Sequence, residues 1–150
     1  MRTPEQVRWD FMRQWLDKAH KDLQAAMILF NSNIEDYENV GFHAQQAAEK
    51  FLKALLVRYQ AEFPKTHSIG VLRQLVAQID QTLAKHLAPA DALTPYGVEF
   101  RYPGDLAPLS HDQGAQALQL AEQTRDLILS HLQPYLRAGR PDGEDSAKGI

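Results

Sequence analysis

Apolar residues recur every three or four positions along nearly the whole chain, and nowhere do they alternate with polar ones for long enough to mark a strand. The pattern predicts an all-α fold with no sheet. A first helix opens at Thr3-Pro4-Glu5-Gln6, where Thr3 caps, Pro4 suits the first turn and Gln6 can reach back to complete a capping box. Its inward stripe reads Met12, Leu16, Ala19, Leu23, Met27 and Phe30, and the polar run Asn31-Ser32-Asn33 ends it. A second helix covers about 36–59 and is closed off by Phe63-Pro64, because the residue before a proline disfavours helical backbone. A third, shorter helix starts at Thr66 or Ser68 and turns Ile69, Leu72, Leu75, Val76 and Ile79 inward, and 82–87 adds one or two turns.

From 89 to 110 the chain carries Pro89, Pro95, Pro103 and Pro108 together with Gly97 and Gly104, so this stretch is expected to be mostly non-helical. Its aromatics Tyr96, Phe100 and Tyr102 point to an ordered loop lying on the bundle, since a long loop inside a compact domain is either functional or disordered. The last helix opens at Ser110, with Gln113 placed for a second capping box, and runs to about Arg137 before Gly139, with Pro134 bending or fraying its final turns. Residues 140–150 are polar and read as a disordered tail, leaving 1–139 as one domain of four or five helices.

Composition narrows the possible functions. At 150 residues the chain can bury a real core, and with 44% hydrophobic and 23% charged residues it falls in the ordinary range for a globular protein. A formal net charge of −3 gives no global attraction to nucleic acid or membrane, so any anion site has to be local. Without cysteine there is no disulfide framework or thiolate chemistry, and the six histidines lie at no spacing that matches a metal-ligand motif, so neither metal nor cofactor is expected. The longest unbroken apolar run is Ala25 to Phe30, too short to cross a bilayer, and charges occupy the first residues where a signal peptide would be apolar, so the expected location is the cytoplasm.

The second helix sorts into two faces. Val40, Ala44, Ala47, Ala48, Phe51 and Leu55 form a core stripe, while His43, Gln46, Lys50 and Lys53 fall within about 80° of one another along its border. Two cations, an imidazole and an amide on one edge could hold a phosphate or a carboxylate. The plainer reading is a solvated border carrying an ordinary Glu49–Lys53 i,i+4 pair. From Gly41 to Leu75 five basic residues face two acidic ones, a mild local positive field. In the loop, Arg101 is flanked by Phe100 and Tyr102, and a guanidinium there could grip a phosphate bidentately while an aromatic such as Tyr102 stacks on a base. Its structural alternatives are a helix cap or a pair with Glu99 or Asp105. His67, in Thr66-His67-Ser68 at a helix start, reads as structural.

Three pieces in this order, the run from Gly41 to Leu56 (GFHAQQAAEKFLKALL), Lys65-Thr66-His67-Ser68-Ile69 and Phe100-Arg101-Tyr102-Pro103-Gly104, resemble the HEPN family, with the likeness extending over about 18–132. The resemblance implies a four- or five-helix bundle that pairs into a homodimer, is often encoded beside a minimal nucleotidyltransferase, and binds nucleotides or, in many branches, cleaves RNA without metal. In the cleaving branches an arginine and a histidine four to six residues apart stand near the start of the last helix, the histidine acting on a ribose 2′-hydroxyl and the arginine on the phosphorane charge. Arg101 and His111 have nine residues between them, outside that spacing; Arg125, followed by Asp126, has five before His131 but lies mid-helix, and Arg13 with His20 also matches by spacing. The sequence therefore leads to an all-α HEPN-type domain binding a nucleotide or RNA phosphate through Arg101, Tyr102, His43, Gln46, Lys50 and Lys53, beside a nucleotidyltransferase in a toxin–antitoxin-like pair. The alternatives are a metal-independent endoribonuclease at a dimer interface, with Arg101 and His111 or Arg125 and His131 as catalytic candidates, and a pure protein-interaction module.

Overall fold

The structure, a computed structural model, describes residues 1–97 and 108–143, and among these the regular elements are all helical. They are α1 (Pro4–Phe30), α2 (Tyr37–Arg58), α3 (Ile69–Ala77), α4 (Gln81–Leu87), a 3₁₀ helix (Ala88–Gly97) and α5 (His111–Ala138). Both expected capping boxes are present: Thr3 and Gln6 close one at the start of α1, Ser110 and Gln113 the other at the start of α5. Asp36, Ser68 and Asp80 cap α2, α3 and α4 by accepting backbone N–H bonds from Asn39, Val71 and Leu83.

Helix α2 is the hub, packing against α1, α3, α5 and the 3₁₀ helix. Its alanines Ala44, Ala47, Ala48 and Ala54 are fully buried and let neighbouring helices come close, while Phe51, Leu52, Leu55 and Leu56 fill the space between them. The short connection over 31–36 makes α1 and α2 neighbours, and α1 lays Met12, Leu16, Ala19, Leu23 and Ala26 on α2.

Three expectations are corrected. Met27 is exposed and Phe30 only half-buried, because after Leu23 the three-residue step to Ala26 keeps the stripe aligned, whereas Met27 lies about 60° round the helix from Met12. The stretch 88–97 is helical despite Pro89 and Pro95: the short i→i+3 turns of a 3₁₀ helix tolerate prolines that an α-helix of that length would not, and Leu93 is packed fully into the core. Helix α5 runs through Pro134 to Ala138, in line with the end expected near Arg137. Finally, 140–143 is not part of a loose tail. The Gln6 side chain donates to the Pro141 carbonyl at 3.0 Å, and the Arg140 guanidinium donates to both oxygens of Asp10 at 2.9 and 3.1 Å. Residues 98–107 and 144–150 lie outside the described residues, and with them the proline-rich loop sequence around Arg101 and the rest of the expected tail.

Arg140 and then Arg2 hold the Asp10 carboxyl down to about 2, from an ordinary 3.8. A carboxyl whose folded-state pKa is depressed stabilises its contacts at pH values above the unfolded pKa and loses them as pH falls through the folded one. Protection of the amides over 140–143, taken relative to the intrinsic exchange rate at each pH, is therefore expected to fall on acidification from pH 4 to pH 2; unchanged protection would mean that Asp10 does not tether this segment.

Candidate functional site

The polar edge of α2 is divided between two carboxylates that approach it from different directions. Asp22 of α1 accepts from His43 Nδ1 at 3.0 Å and, through its other oxygen, from Lys50 Nζ. All three side chains remain partly open to solvent, at 30% for His43, 20% for Lys50 and 15% for Asp22. Because a carboxylate only accepts, His43 Nδ1 carries the hydrogen, which leaves Nε2 and the remaining Lys50 donors free to meet a ligand.

Glu49, by contrast, is almost wholly buried. Its carboxylate accepts from Lys53 Nζ at 3.1 Å, His67 Nδ1 at 2.9 Å and Gln45 Nε2 at 3.3 Å. The Gln45 amide also donates to the His67 carbonyl at 2.8 Å, and its oxygen accepts from Gln46 Nε2 at 2.7 Å. The Lys53 ammonium lies 5.2 Å from the Trp15 ring centre and 5.6 Å from that of Phe63. The i,i+4 pair read from the sequence as a solvated border is thus a core feature: Lys53 is enclosed by Glu49 and two aromatic faces and does not reach an incoming ligand. His67 carries the structural role expected of it, joining the segment before α3 to α2.

The catalytic candidates are dispersed. Arg101 and Tyr102 lie outside the described residues. His111 occupies the first turn of α5, its ring 4.9 Å from Phe30 and 5.5 Å from Tyr37, its Nδ1 3.2 Å from Asp112, and most of its side chain in solvent. Arg125 and His131 turn to different partners: Arg125 to its neighbour Asp126 at 2.9 Å, His131 to the Tyr59 hydroxyl at 2.8 Å and toward Asp80 at 3.6 Å. Arg13 pairs loosely with Asp17 at 3.9 Å, and His20 rests edge-on against Phe51. Among the described residues no candidate arginine–histidine pair shares a hydrogen bond, although Arg125 and Arg13 both act on His20 through their charge, and no group of three histidine, aspartate or glutamate side chains there is placed to hold a metal ion.

Partial desolvation against its neighbours and then the Arg125 charge hold the His20 imidazole below its ordinary 6.5. A histidine whose folded-state pKa is depressed lets the unfolded chain bind more protons, so stability is full above pH 6.5 and declines as pH falls toward the folded value. His20→Gln should lose less of its urea midpoint than the wild-type chain between pH 7.5 and pH 5.5; parallel losses would show that His20 does not contribute.

Asp22 is the residue sequence reasoning missed. Nothing in the pattern of α1 marks it among the helix's other acidic positions, since its importance comes from α1 crossing α2 opposite Lys50. The burial of Glu49 did leave a trace: Gln45, Glu49, Leu52 and Leu56 form a second stripe at three- and four-residue spacing, as expected of a helix covered on more than one side.

No helix among the described residues is long and apolar enough to cross a membrane. Among curated proteins none matches the chain. The crystal structure of TT1696 from Thermus thermophilus superposes with a TM-score of 0.61 at 27% identity, over 79% of this chain and 96% of that one. A family model described as the HEPN domain matches residues 12–131, which takes in α1 from Met12, the whole of α2 and most of α5. With that match over most of its length and a helical bundle to support it, the chain belongs to the HEPN family.

Proposed function

We propose that this HEPN domain binds the phosphate of a nucleotide or RNA at the His43–Lys50 pair, working as a homodimer beside a nucleotidyltransferase partner in a toxin–antitoxin-like arrangement. The observation that carries the phosphate site is the convergence of Lys50 and His43 on the single carboxylate of Asp22 at a part-exposed position. Asp22 fixes the Lys50 ammonium and the His43 ring at little further entropic cost while using only one donor of Lys50, so an arriving phosphate finds them already ordered. Gln46 borders the pair, and Lys53 is left out of the ligand set because Glu49 and the aromatics enclose it. Arg101 and Tyr102 stay in the proposal on their sequence alone. Family membership supports the homodimer and the nucleotidyltransferase partner.

Asp22 also repels the ligand it prepares for. Two unit charges about 4 Å apart interact by roughly 1 to 4 kcal/mol between water and a protein surface. Asp22→Asn should therefore tighten ATP binding by about fivefold or more, even though it loosens the pair. A thermal-shift titration with ATP and a short RNA, with RNA integrity read on a gel from the same tubes, tests the function as a whole. Stabilisation without cleavage supports it. Chelator-resistant cleavage would instead establish the endoribonuclease, with His111 the first histidine to replace, and no shift with any ligand would leave the protein-interaction module.

A further inference from the structure

The last turn of α1, the connection over 31–36, the first turn of α2 and the start of α5 meet at one end of the bundle. Three rings hold them together: His111 lies 4.9 Å from Phe30 and 5.5 Å from Tyr37, and Phe30 and Tyr37 are 6.2 Å apart. The connection folds back on α1, with the Ser32 hydroxyl donating to the Leu29 carbonyl at 2.7 Å and accepting from Ile34 N–H at 3.3 Å. Large apolar side chains stand in solvent at this end: Ile34 is 70% exposed, Ile28 63% and Met27 41%. Scattered singly such residues are ordinary, but these three fall within eight positions of one another and contribute little to the core.

The charge around them is of one sign. Glu35, Asp36, Glu38 and Asp112 stand at this end, and no lysine or arginine occurs in 22–49 or 108–124. The nearest cation along α1, Lys21, is two turns before Ile28. Helix starts account for three of the acids, because Asp36 caps α2, and Glu38 and Asp112 lie in the first turns of α2 and α5. They do not account for Glu35, whose φ of 58° is left-handed and would suit glycine better, nor for the want of cations beside exposed isoleucines. Two helix N-termini, each equivalent to about half a positive charge, offset only about one of the negative charges. A second copy of the chain would bring the same acids against these across a twofold axis, so the surface is unsuited to itself.

We propose that this end of the bundle docks a basic amphipathic helix of a protein partner. Met27, Ile28 and Ile34 receive the apolar side chains that such a helix carries at three- and four-residue spacing, and Glu35, Glu38 and Asp112 pair with lysines or arginines along its borders. Asp36 is left out, because its carboxylate accepts from the Asn39 backbone and side-chain amides. Apolar burial supplies the affinity, and the acidic rim supplies fast approach and the choice of partner. The surface needs neither the phosphate site at His43–Lys50 nor the nucleotidyltransferase, and stands or falls independently of both.

The test is fluorescence anisotropy of a labelled amphipathic helical peptide of leucine and lysine only, titrated with the full chain, with the same peptide carrying glutamate for lysine as control. The wild-type chain should bind the lysine peptide and not the glutamate one, and more weakly as salt rises. Ile34→Ser should weaken binding by about tenfold, the effect of losing one buried aliphatic contact. Glu35→Lys should weaken it by about threefold, mainly through slower association, and flatten its salt dependence. Both side chains are exposed, so the urea midpoints of these variants should stay close to that of the wild-type chain. Val7→Ser, which removes an exposed apolar side chain near the other end of α1, should leave peptide binding unchanged. Absence of peptide binding to the wild-type chain, equal binding of the glutamate peptide, full binding by Ile34→Ser, or a self-association abolished by Ile34→Ser in place of peptide binding would each overturn the proposal.

Discussion

Glu49→Ala is expected to destabilise the domain by about 3–5 kcal/mol, the range for removing one partner of a buried ion pair. The carboxylate satisfies three donors at once, from Lys53, His67 and Gln45. Alanine would leave the Lys53 ammonium enclosed by Trp15 and Phe63 without an anion, and would free the segment that His67 joins to α2. For a chain of this size each kcal/mol corresponds to roughly 2–4 °C, so a fall in Tm of about 10 °C is expected. Replacing both Glu49 and Lys53 by leucine and methionine should recover much of the loss, because an apolar pair of similar volume carries no desolvation cost. Urea denaturation of the single and double variants checks this. A single-variant loss below about 1 kcal/mol would mean that the pair is solvated after all.

Gly97→Ala should cost about 1–3 kcal/mol, as overpacking of a well-filled core does. The conformation at Gly97 is open to any residue; what matters is space. A Cβ there would stand 2.6 Å from Gln45 Cδ and 2.7 Å from its Oε1. Gln45 is fully buried and cannot swing aside without breaking its bonds to the His67 carbonyl, Glu49 and Gln46. The two positions are therefore coupled: in a Gln45→Ala background Gly97→Ala should cost much less, and a double-mutant cycle by urea denaturation should show a coupling of at least about 0.5 kcal/mol. Strict additivity would show that the 3₁₀ helix does not press on Gln45.

Where a feature depended on local chemistry, the sequence revealed it closely. Thr3 with Gln6 and Ser110 with Gln113 marked the starts of α1 and α5, since a capping box is a contact between residues three apart. The α2 core stripe from Val40 to Leu55 was legible for the same reason: periodicity encodes which face is covered. Features set by tertiary contact were not legible. Lys53 lay on the right border of α2 for a ligand, but whether that border met solvent or the Trp15 and Phe63 rings depended on the path of other segments. Asp22 was invisible because its partners lie 21 and 28 residues away. The helical turns of 88–97 were masked by prolines that rule out an α-helix but not a 3₁₀ one.

The two carboxylates of the α2 edge separate a structural role from a binding one. Glu49 is buried and its Lys53 and Gln45 donors are enclosed, with only the His67 ring half open to solvent, whereas Asp22 leaves both His43 and Lys50 in reach of solvent. The most direct test of phosphate binding at that pair is calorimetric titration of ATP into the wild-type chain, Lys50→Met and Asp22→Asn under one set of salt and pH conditions. The account predicts that Lys50→Met weakens binding about tenfold or abolishes it, while Asp22→Asn strengthens it, with both variants folded. Equal affinity in all three, or weaker binding for Asp22→Asn than for Lys50→Met, would contradict it.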